Sequence, residues 1–505
     1  MAIPPIFTML FILLVFVGDS DVYGVNVSPS TKKSQIPPFI SIPLIKARGS
    51  RGSDQLETLN SVAVHQMHAT HGRRRLAAFI SRSRSSATTE HHRSISRSPT
   101  RNRRHHARIA RANQNRQNPQ AEVMDSDKAI QSINVNPQPD TDLGRPSDAE
   151  VTRASDTSHP DSGLLYIEGR DIGYMAPLSV GTPFKEVYML VDSGSADMWV
   201  GGEQCKGDNG TDCGDHRFLG PESSSSFVDT GVPWYMEYGS GGSAAGNLIN
   251  DTVRFASITL QNHTFGVTQY ESPEFTADDI PFDGVLGCAK DNLSMQQTPT
   301  LLSALQKAGL ITERICSYKL SRESDGKHDG EFTIGGMDPS KYHPSSLIRI
   351  PSSYDTGFWE GEMDAVTVNG RNIDLGGGRR RCIFDTGTTL IIAPQKSECF
   401  SNDVDAIHNS IPGARFDNSS KAWTFPCNMT NSVALVFGGR PFPIHPVDLA
   451  FQPADNSTSA CTSAIVKGDV SGDSTNWLLG ATFLKNVYLS TNQDRNEISL
   501  ARLAN

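Results

Sequence analysis

Hydrophobic and polar positions divide this chain into stretches of unlike character. Ile6 to Val17 is apolar but for Thr8, and Gly18, Asp19 and Ser20 close the run. That length suits the core of a secretory signal over residues 1–23 and falls short of the ~20 residues a membrane-spanning helix needs. The usual positive charge ahead of the core is missing, which leaves an uncleaved anchor as the alternative. Phe39-Ile40-Ser41-Ile42-Pro43-Leu44-Ile45 predicts a short strand, and Leu56 to Ile80 has room for one or two helices. From Arg82 to Pro160 large apolar residues are sparse, so burial cannot offset the entropy of ordering and a flexible linker is expected. The 342 residues from Leu164 onward are Val/Thr/Tyr/Phe runs punctuated by Gly and Pro. They predict a mostly β body large enough for two cores, with Thr300 to Ala308 as its clearest helical period.

That body carries a concealed duplication. Asp-[Ser/Thr]-Gly occurs at Asp161, Asp192, Asp229, Asp355 and Asp385, too often for the triplet to mean anything alone. Only Asp192 and Asp385 follow a strand-like apolar run and precede a third hydroxyl residue, Ser195 and Thr388. Ninety-five residues beyond each stands a Gly preceded by two aliphatics, Val285-Leu286-Gly287 and Leu478-Leu479-Gly480. The same offset from the other three lands on Ala256, Ser324 and Ala450. Two paired elements at equal spacing imply two similar lobes, 161–340 and 341–505. Lobes facing each other would bring the two carboxylates together. At hydrogen-bonding distance both cannot ionise cheaply, so they share one proton. One member then takes a proton from water while the other gives one to a carbonyl oxygen, which is amide hydrolysis by general acid–base action without metal or cofactor.

At these residues the chain resembles the pepsin-like aspartic proteases, in texture most the secreted fungal ones. Val191-Asp-Ser-Gly-Ser-Ala-Asp-Met-Trp-Val200 and Phe384-Asp-Thr-Gly-Thr-Thr-Leu390 are similar to the two active-site motifs of that family. Phe282-Asp-Gly-Val-Leu-Gly287 and Trp477-Leu-Leu-Gly-Ala-Thr-Phe483 are similar to its paired structural motifs. The resemblance implies a bilobal, mostly β fold with the cleft between two pseudo-symmetric lobes. It makes Asp192 and Asp385 the catalytic pair, supported by Ser193, Gly194, Ser195, Thr386, Gly387 and Thr388. Tyr238, Gly239 and Ser240 fall at the tip of a substrate-covering flap, with Trp199 behind it. It further implies peptide or protein substrates with hydrophobic residues flanking the cut, a monomer, and acidic working pH. The sequence departs from the family pattern at Ser193, where Thr is commoner, at Asp197, where Asn is usual, and at Ala481, where Asp is frequent.

Cysteine usage fits an oxidising compartment, with all eight between Cys205 and Cys461 and no Cys-x-x-Cys pair to suggest zinc. The resemblance implies Cys205–Cys213 and Cys427–Cys461. Cys288–Cys316 and Cys382–Cys399 are the expectation for the other four, whose connectivity sequence leaves open. Glycosylation acceptors at Asn209, Asn250, Asn262, Asn292, Asn418, Asn428 and Asn456, and upstream at Asn26, point the same way. A secreted protein is expected, with a vacuole or similar acidic compartment as second choice and no membrane attachment after signal removal.

Charge sharpens the picture. The net charge of −9 conceals 18 Lys/Arg against 3 Asp/Glu over residues 24–120, and 25 against 41 over 164–505. Ile42-Pro43-Leu44-Ile45-Lys46 is similar to the start of the family's inhibitory propeptide. Residues 24–160 therefore read as a basic propeptide and linker, an intramolecular inhibitor laid against an acidic body, with Arg104 as a processing point. Two rival readings are a two-lobed binding protein without activity and a basic segment that binds nucleic acid or an anionic surface. The intact motifs oppose the first, and a secretory route opposes the second.

Overall fold

The computed structural model describes residues 171–238, 242–276, 280–352, 354–377, 379–394, 403–454, 459–468, 470 and 475–504, and the backbone of 40–46 and 165–168. All belong to one compact unit, Pro37–Asn505. The signal, the helices expected over 56–80 and the linker lie outside the described residues.

The strands that position the site are β1 (Ile40–Lys46), β2 (Leu165–Glu168), β3 (Gly173–Val180), β4 (Lys185–Asp192), β5 (Met198–Val200), β6 (Val228–Glu237), β7 (Ser243–Phe255), β8 (Ile258–Glu271) and β9 (Gly284–Gly287). They are followed by β10 (Ile315–Lys319), β11 (Gly330–Ile334), β12 (Ile348–Pro351), β13 (Glu360–Met363), β14 (Arg380–Phe384), β15 (Ile391–Pro394), β16 (Ile465–Gly468), β17 (Asn476–Leu479), β18 (Tyr488–Asn492) and β19 (Glu497–Ala501). Among the described residues one fourteen-stranded sheet runs β12-β19-β18-β10-β11-β1-β2-β3-β4-β9-β5-β8-β7-β6. A five-stranded sheet, β13-β14-β17-β15-β16, and two four-stranded sheets complete the second half. The mostly β expectation is met.

The duplication read from the sequence is a pair of matching strand triplets. β4 lies parallel to β9, with Asp192 opposite Gly287, and β9 lies antiparallel to β5. β14 lies parallel to β17, with Phe384 opposite Leu479, and β17 lies antiparallel to β15. The 95-residue offset is thus the distance along the chain between two neighbouring strands. It returns each aliphatic-Gly motif beside its own aspartate. The glycines are needed for contact: a Cβ on Gly287 would fall 2.5 Å from the Ala196 carbonyl carbon, and one on Gly480 2.3 Å from the Thr388 carbonyl oxygen. β9 and β17 are buried along their whole length, so the residues before each glycine, Val285-Leu286 and Leu478-Leu479, are apolar without alternation.

The strand expected over 39–45 is β1, displaced by one residue. It pairs antiparallel with β11 and parallel with β2. The helix expected at 300–308 spans Leu301–Lys307, and Thr300 caps it by accepting from the Ser303 N–H. No helix among the described residues is long and apolar enough to cross a membrane.

Two disulfides are formed, Cys205–Cys213 and Cys427–Cys461. The expected Cys288–Cys316 bond is not: both are free thiols inside the core. Cys288 directs its thiol to the Leu286 carbonyl at 3.6 Å, and burial pushes that thiol up, so it stays protonated. Cys382–Cys399 is not formed either, because Cys382 is a free thiol mid-strand between β13 and β17. Cys399 itself lies outside the described residues. Of the glycosylation candidates, Asn262, Asn292, Asn418 and Asn428 are exposed. Asn250 is half-buried and its side-chain oxygen accepts from Thr264. The Asn209 side chain and Asn456 lie outside the described residues.

Candidate active site

Asp192 ends β4 and Asp385 follows β14, so each carboxylate leaves a buried strand into a tight turn that folds back upon it. Their surroundings match atom for atom. The Gly194 N–H donates to Asp192 Oδ1 and the Gly387 N–H to Asp385 Oδ1, both at 2.9 Å. Ser195 Oγ donates to Asp192 Oδ2 at 2.6 Å, and Thr388 Oγ1 to Asp385 Oδ2 at 2.7 Å. Each carboxylate therefore has one oxygen held by the backbone and one by a hydroxyl. The two turns face each other at contact distance, because a Cβ on Gly194 would lie 2.6 Å from the Asp385 Cγ and Oδ1. Only glycine admits the opposing carboxyl so close.

Ser193 and Thr386, the residues after the aspartates, tie the lobes together reciprocally. The Ser193 N–H donates to Thr386 Oγ1 and the Thr386 N–H to Ser193 Oγ, both at 2.9 Å. Their hydroxyls in turn donate across the interface, Ser193 to the Phe384 carbonyl at 2.9 Å and Thr386 to the Val191 carbonyl at 2.8 Å. All four bonds are buried, so none exchanges with water. Thr386→Val keeps the shape of the side chain but leaves the Ser193 N–H and the Val191 carbonyl short of these partners. A loss of about 1–3 kcal/mol per stranded group is expected. Calorimetry reads it as a lower melting temperature, and an unchanged one would show that the lock adds no stability.

The hairpin β6–β7 carries Tyr238 at the end of its first arm; Gly239 and Ser240 lie outside the described residues. Tyr238 is buried, and its hydroxyl accepts from Trp199 Nε1 at 2.6 Å, the pairing expected between these two residues. Phe275 meets both rings edge-on, 5.4 Å from Tyr238 and 5.3 Å from Trp199. Leu190, Val285 and Phe282 complete an apolar wall there.

Three supporting residues were not legible beforehand. Asp197, buried and without an ion-pair partner among the described residues, anchors residues 294–296: Ser294 Oγ and the Met295 N–H donate to its two oxygens at 2.5 and 2.7 Å. Burial raises its carboxyl above the ordinary range. Trp359 bridges both turns, donating from Nε1 to the Cys288 carbonyl at 2.9 Å and accepting the Phe384 N–H on its own carbonyl at 3.0 Å. Phe275 stands in a single helical turn, Pro273–Thr276, with no motif around it. Proximity in the fold is the only signal for Trp359 and Phe275, whereas Asp197 stands out in the sequence as an exchange within the first motif, without its role. Ala481 begins a short helix and its N–H donates to the Thr388 carbonyl at 2.7 Å, which puts it against the second turn.

Residues 173–503 match the family model for eukaryotic aspartyl proteases. The chain belongs to that family. It is 32% identical over 354 residues to a probable aspartic-type endopeptidase CTSD of Arthroderma benhamiae, covering 69% of this chain and 64% of that one, so just under two thirds of the relative's length is spanned. It is 31% identical to the aspartic-type endopeptidase ctsD of Aspergillus fumigatus, over 70% of each chain. It is 30% identical to pepsin A of Sus scrofa, over 66% of this chain and 82% of the pepsin. The mirrored turns Asp192–Ser195 and Asp385–Thr388 lie within the matched residues.

Proposed function

We propose that this chain is an aspartic endopeptidase, made as a zymogen and sent through the secretory route to an acidic setting outside the cell or in a vacuole. The observation that carries the reading is the reciprocal Ser193–Thr386 lock, which presents two equivalently held carboxylates to one point. A water between them loses a proton to the ionised member while the protonated one donates to the scissile carbonyl oxygen, and the roles reverse as the amine leaves. The proton belongs to the pair rather than to either aspartate. Ser195 and Thr388 keep the outer oxygens aimed through the cycle. Tyr238 covers the site from its hairpin and excludes water, and the apolar wall beneath it favours hydrophobic residues beside the cut.

Strand β1 supports the zymogen. It comes from the basic stretch and takes a place in the central sheet between β11 and β2. Opposite charge attracts the remaining segment to the body at neutral pH. Acid protonates body carboxylates and charges the segment's seven histidines, so the attraction fades. Acid incubation of the full chain should give a shortened product, located by amino-terminal sequencing, that hydrolyses an unfolded protein and is stopped by pepstatin-type inhibitors. A precursor that stays uncut assigns activation to another protease. Absence of hydrolysis across the whole acid range rejects the endopeptidase.

A further inference from the structure

Glu271 ends β8 opposite Ala244, the second residue of β7, and Ala244 in turn lies opposite Met236 of β6, two residues before Tyr238. Ser272, its neighbour, closes the root of the hairpin: the Ser243 N–H donates to Ser272 Oγ and the Ser272 N–H to the Ser243 carbonyl, both at 2.9 Å. The Ser272 carbonyl accepts the N–H of Phe275, the ring that packs on Tyr238 and Trp199. A shift at Glu271 therefore reaches Tyr238 by two short routes.

The Glu271 side chain has no solvent contact. Thr268 Oγ1 donates to Oε1 at 2.7 Å, and Oε2 is buried with no hydrogen-bond partner. The carboxyl packs against the Cys205–Cys213 disulfide, which offers no charge and no free thiol. Strand β7 contributes Ala244 there. Lys206 touches Glu271 only through its backbone carbonyl, and its side chain is exposed. Glu274, on the following helical turn, is exposed as well. Asp283, ahead of β9, is the charged group that acts on it, and it is of like sign. No cation among the described residues balances a negative charge at this point.

We propose that Glu271 is a positioning residue for the hairpin that carries Tyr238, and that it holds the hairpin root in place only while its carboxyl is neutral. Ionised, Oε2 would be a bare charge in an apolar wrapping, and the root must loosen to admit water. Burial pushes this carboxyl up from 4.5 to about 7, opposed by the Thr268 hydrogen bond and helped by Asp283. The folded form thus keeps its proton where the unfolded chain has lost it. Stability is full below about 4.5, declines as pH rises towards about 7, and is then flat. The consequence rests on the protease reading: an acid-active enzyme whose Tyr238 hairpin disengages near neutrality.

Tryptophan fluorescence, to which Trp234 on the hairpin's first arm and Trp199 against Tyr238 contribute, and melting temperature are followed from pH 4 to 9, together with kcat/KM where activity is measurable. The wild type should show a reversible transition near neutral pH. Glu271→Gln, a fixed neutral isostere, should remove that transition and flatten the fall in melting temperature. Thr268→Val removes the donor that favours the ionised form, so the midpoint should move to higher pH. An unmoved transition in a folded Glu271→Gln protein overturns the proposal. Should that variant fail to fold, a Thr268→Val midpoint that is unchanged or lower does so instead. Both physical readouts are independent of turnover, so an inactive wild type rejects the protease reading without deciding this one.

Discussion

Asp192→Asn is expected to lower kcat by about a hundred- to ten-thousand-fold, the range general acid–base catalysis contributes, with little change in KM or melting temperature. The substitution isolates chemistry from structure. Asparagine keeps a carbonyl oxygen in the place of Asp192 Oδ1 to accept from the Gly194 N–H, and the Ser195 hydroxyl can rotate to accept from the new amide. The lobe lock runs through Ser193 and Thr386 and is untouched. What disappears is the titratable site, so the pair can no longer exchange a proton with water. Asp385→Asn should behave alike, because Asp385 has the same two donors. The double variant should cost scarcely more than either single one, since the two groups act as a unit. Single-turnover kinetics on a peptide with hydrophobic residues at the cut, alongside calorimetry, checks both claims. Retention of more than a tenth of the wild-type kcat by either variant would sink the assignment of the pair.

Asp403→Asn should destabilise the fold by about 3–5 kcal/mol, the cost of stranding one member of a buried ion pair. Arg380 opens β14, five residues before Asp385, and is 2% exposed; Asp403 begins the helix Asp403–Asn409 and is 0% exposed. The guanidinium meets the carboxylate side-on, Nε to Oδ2 at 2.6 Å and Nη2 to Oδ1 at 2.9 Å. Its other donors reach the Gly377 and Leu375 carbonyls, and Trp477 Nε1 of β17 also donates to Asp403 Oδ2, at 3.0 Å. The cluster fixes three elements around the second turn. In Asp403→Asn the guanidinium loses the carboxylate it meets side-on, and a fall in melting temperature on the order of 10 °C is expected. Arg380→Met combined with Asp403→Leu should recover much of the loss, because well-packed apolar residues can replace such a pair. A single variant as stable as the wild type would show that solvent reaches this cluster.

The parts of the site that were legible are those written in contiguous residues. A strand-like run, an aspartate, a hydroxyl residue and a glycine make one turn, and every bond the turn makes to itself joins residues two or three apart. The two copies at equal offsets announced two lobes for the same reason: the pairing of β4 with β9 is repeated as that of β14 with β17. The misses have a different origin. The Cys288–Cys316 expectation fails because the order of cysteines along a chain carries no information about whether two sulfurs meet in bonding geometry. Asp197 looked like an unexplained exchange because the backbone it anchors lies nearly a hundred residues away. Glu271 gave no sign at all, since nothing in Gln269-Tyr270-Glu271-Ser272 tells which of its polar residues will lose all contact with water.

By itself the sequence determined the two turns, their duplication, the Val/Thr/Tyr/Phe runs punctuated by Gly and Pro that make the body β, and the charge division between the basic segment and the body. These follow from interactions spanning a few residues or from composition, and both are encoded locally. Only the tertiary structure decided that the turns meet, that Ser193 and Thr386 exchange bonds across 193 residues, and which carboxyls sit dry with or without a partner. Such properties depend on what the rest of the chain places within about 3 Å of an atom, and desolvation, the largest influence on Glu271 and Asp197, exists only once the whole fold has closed around them.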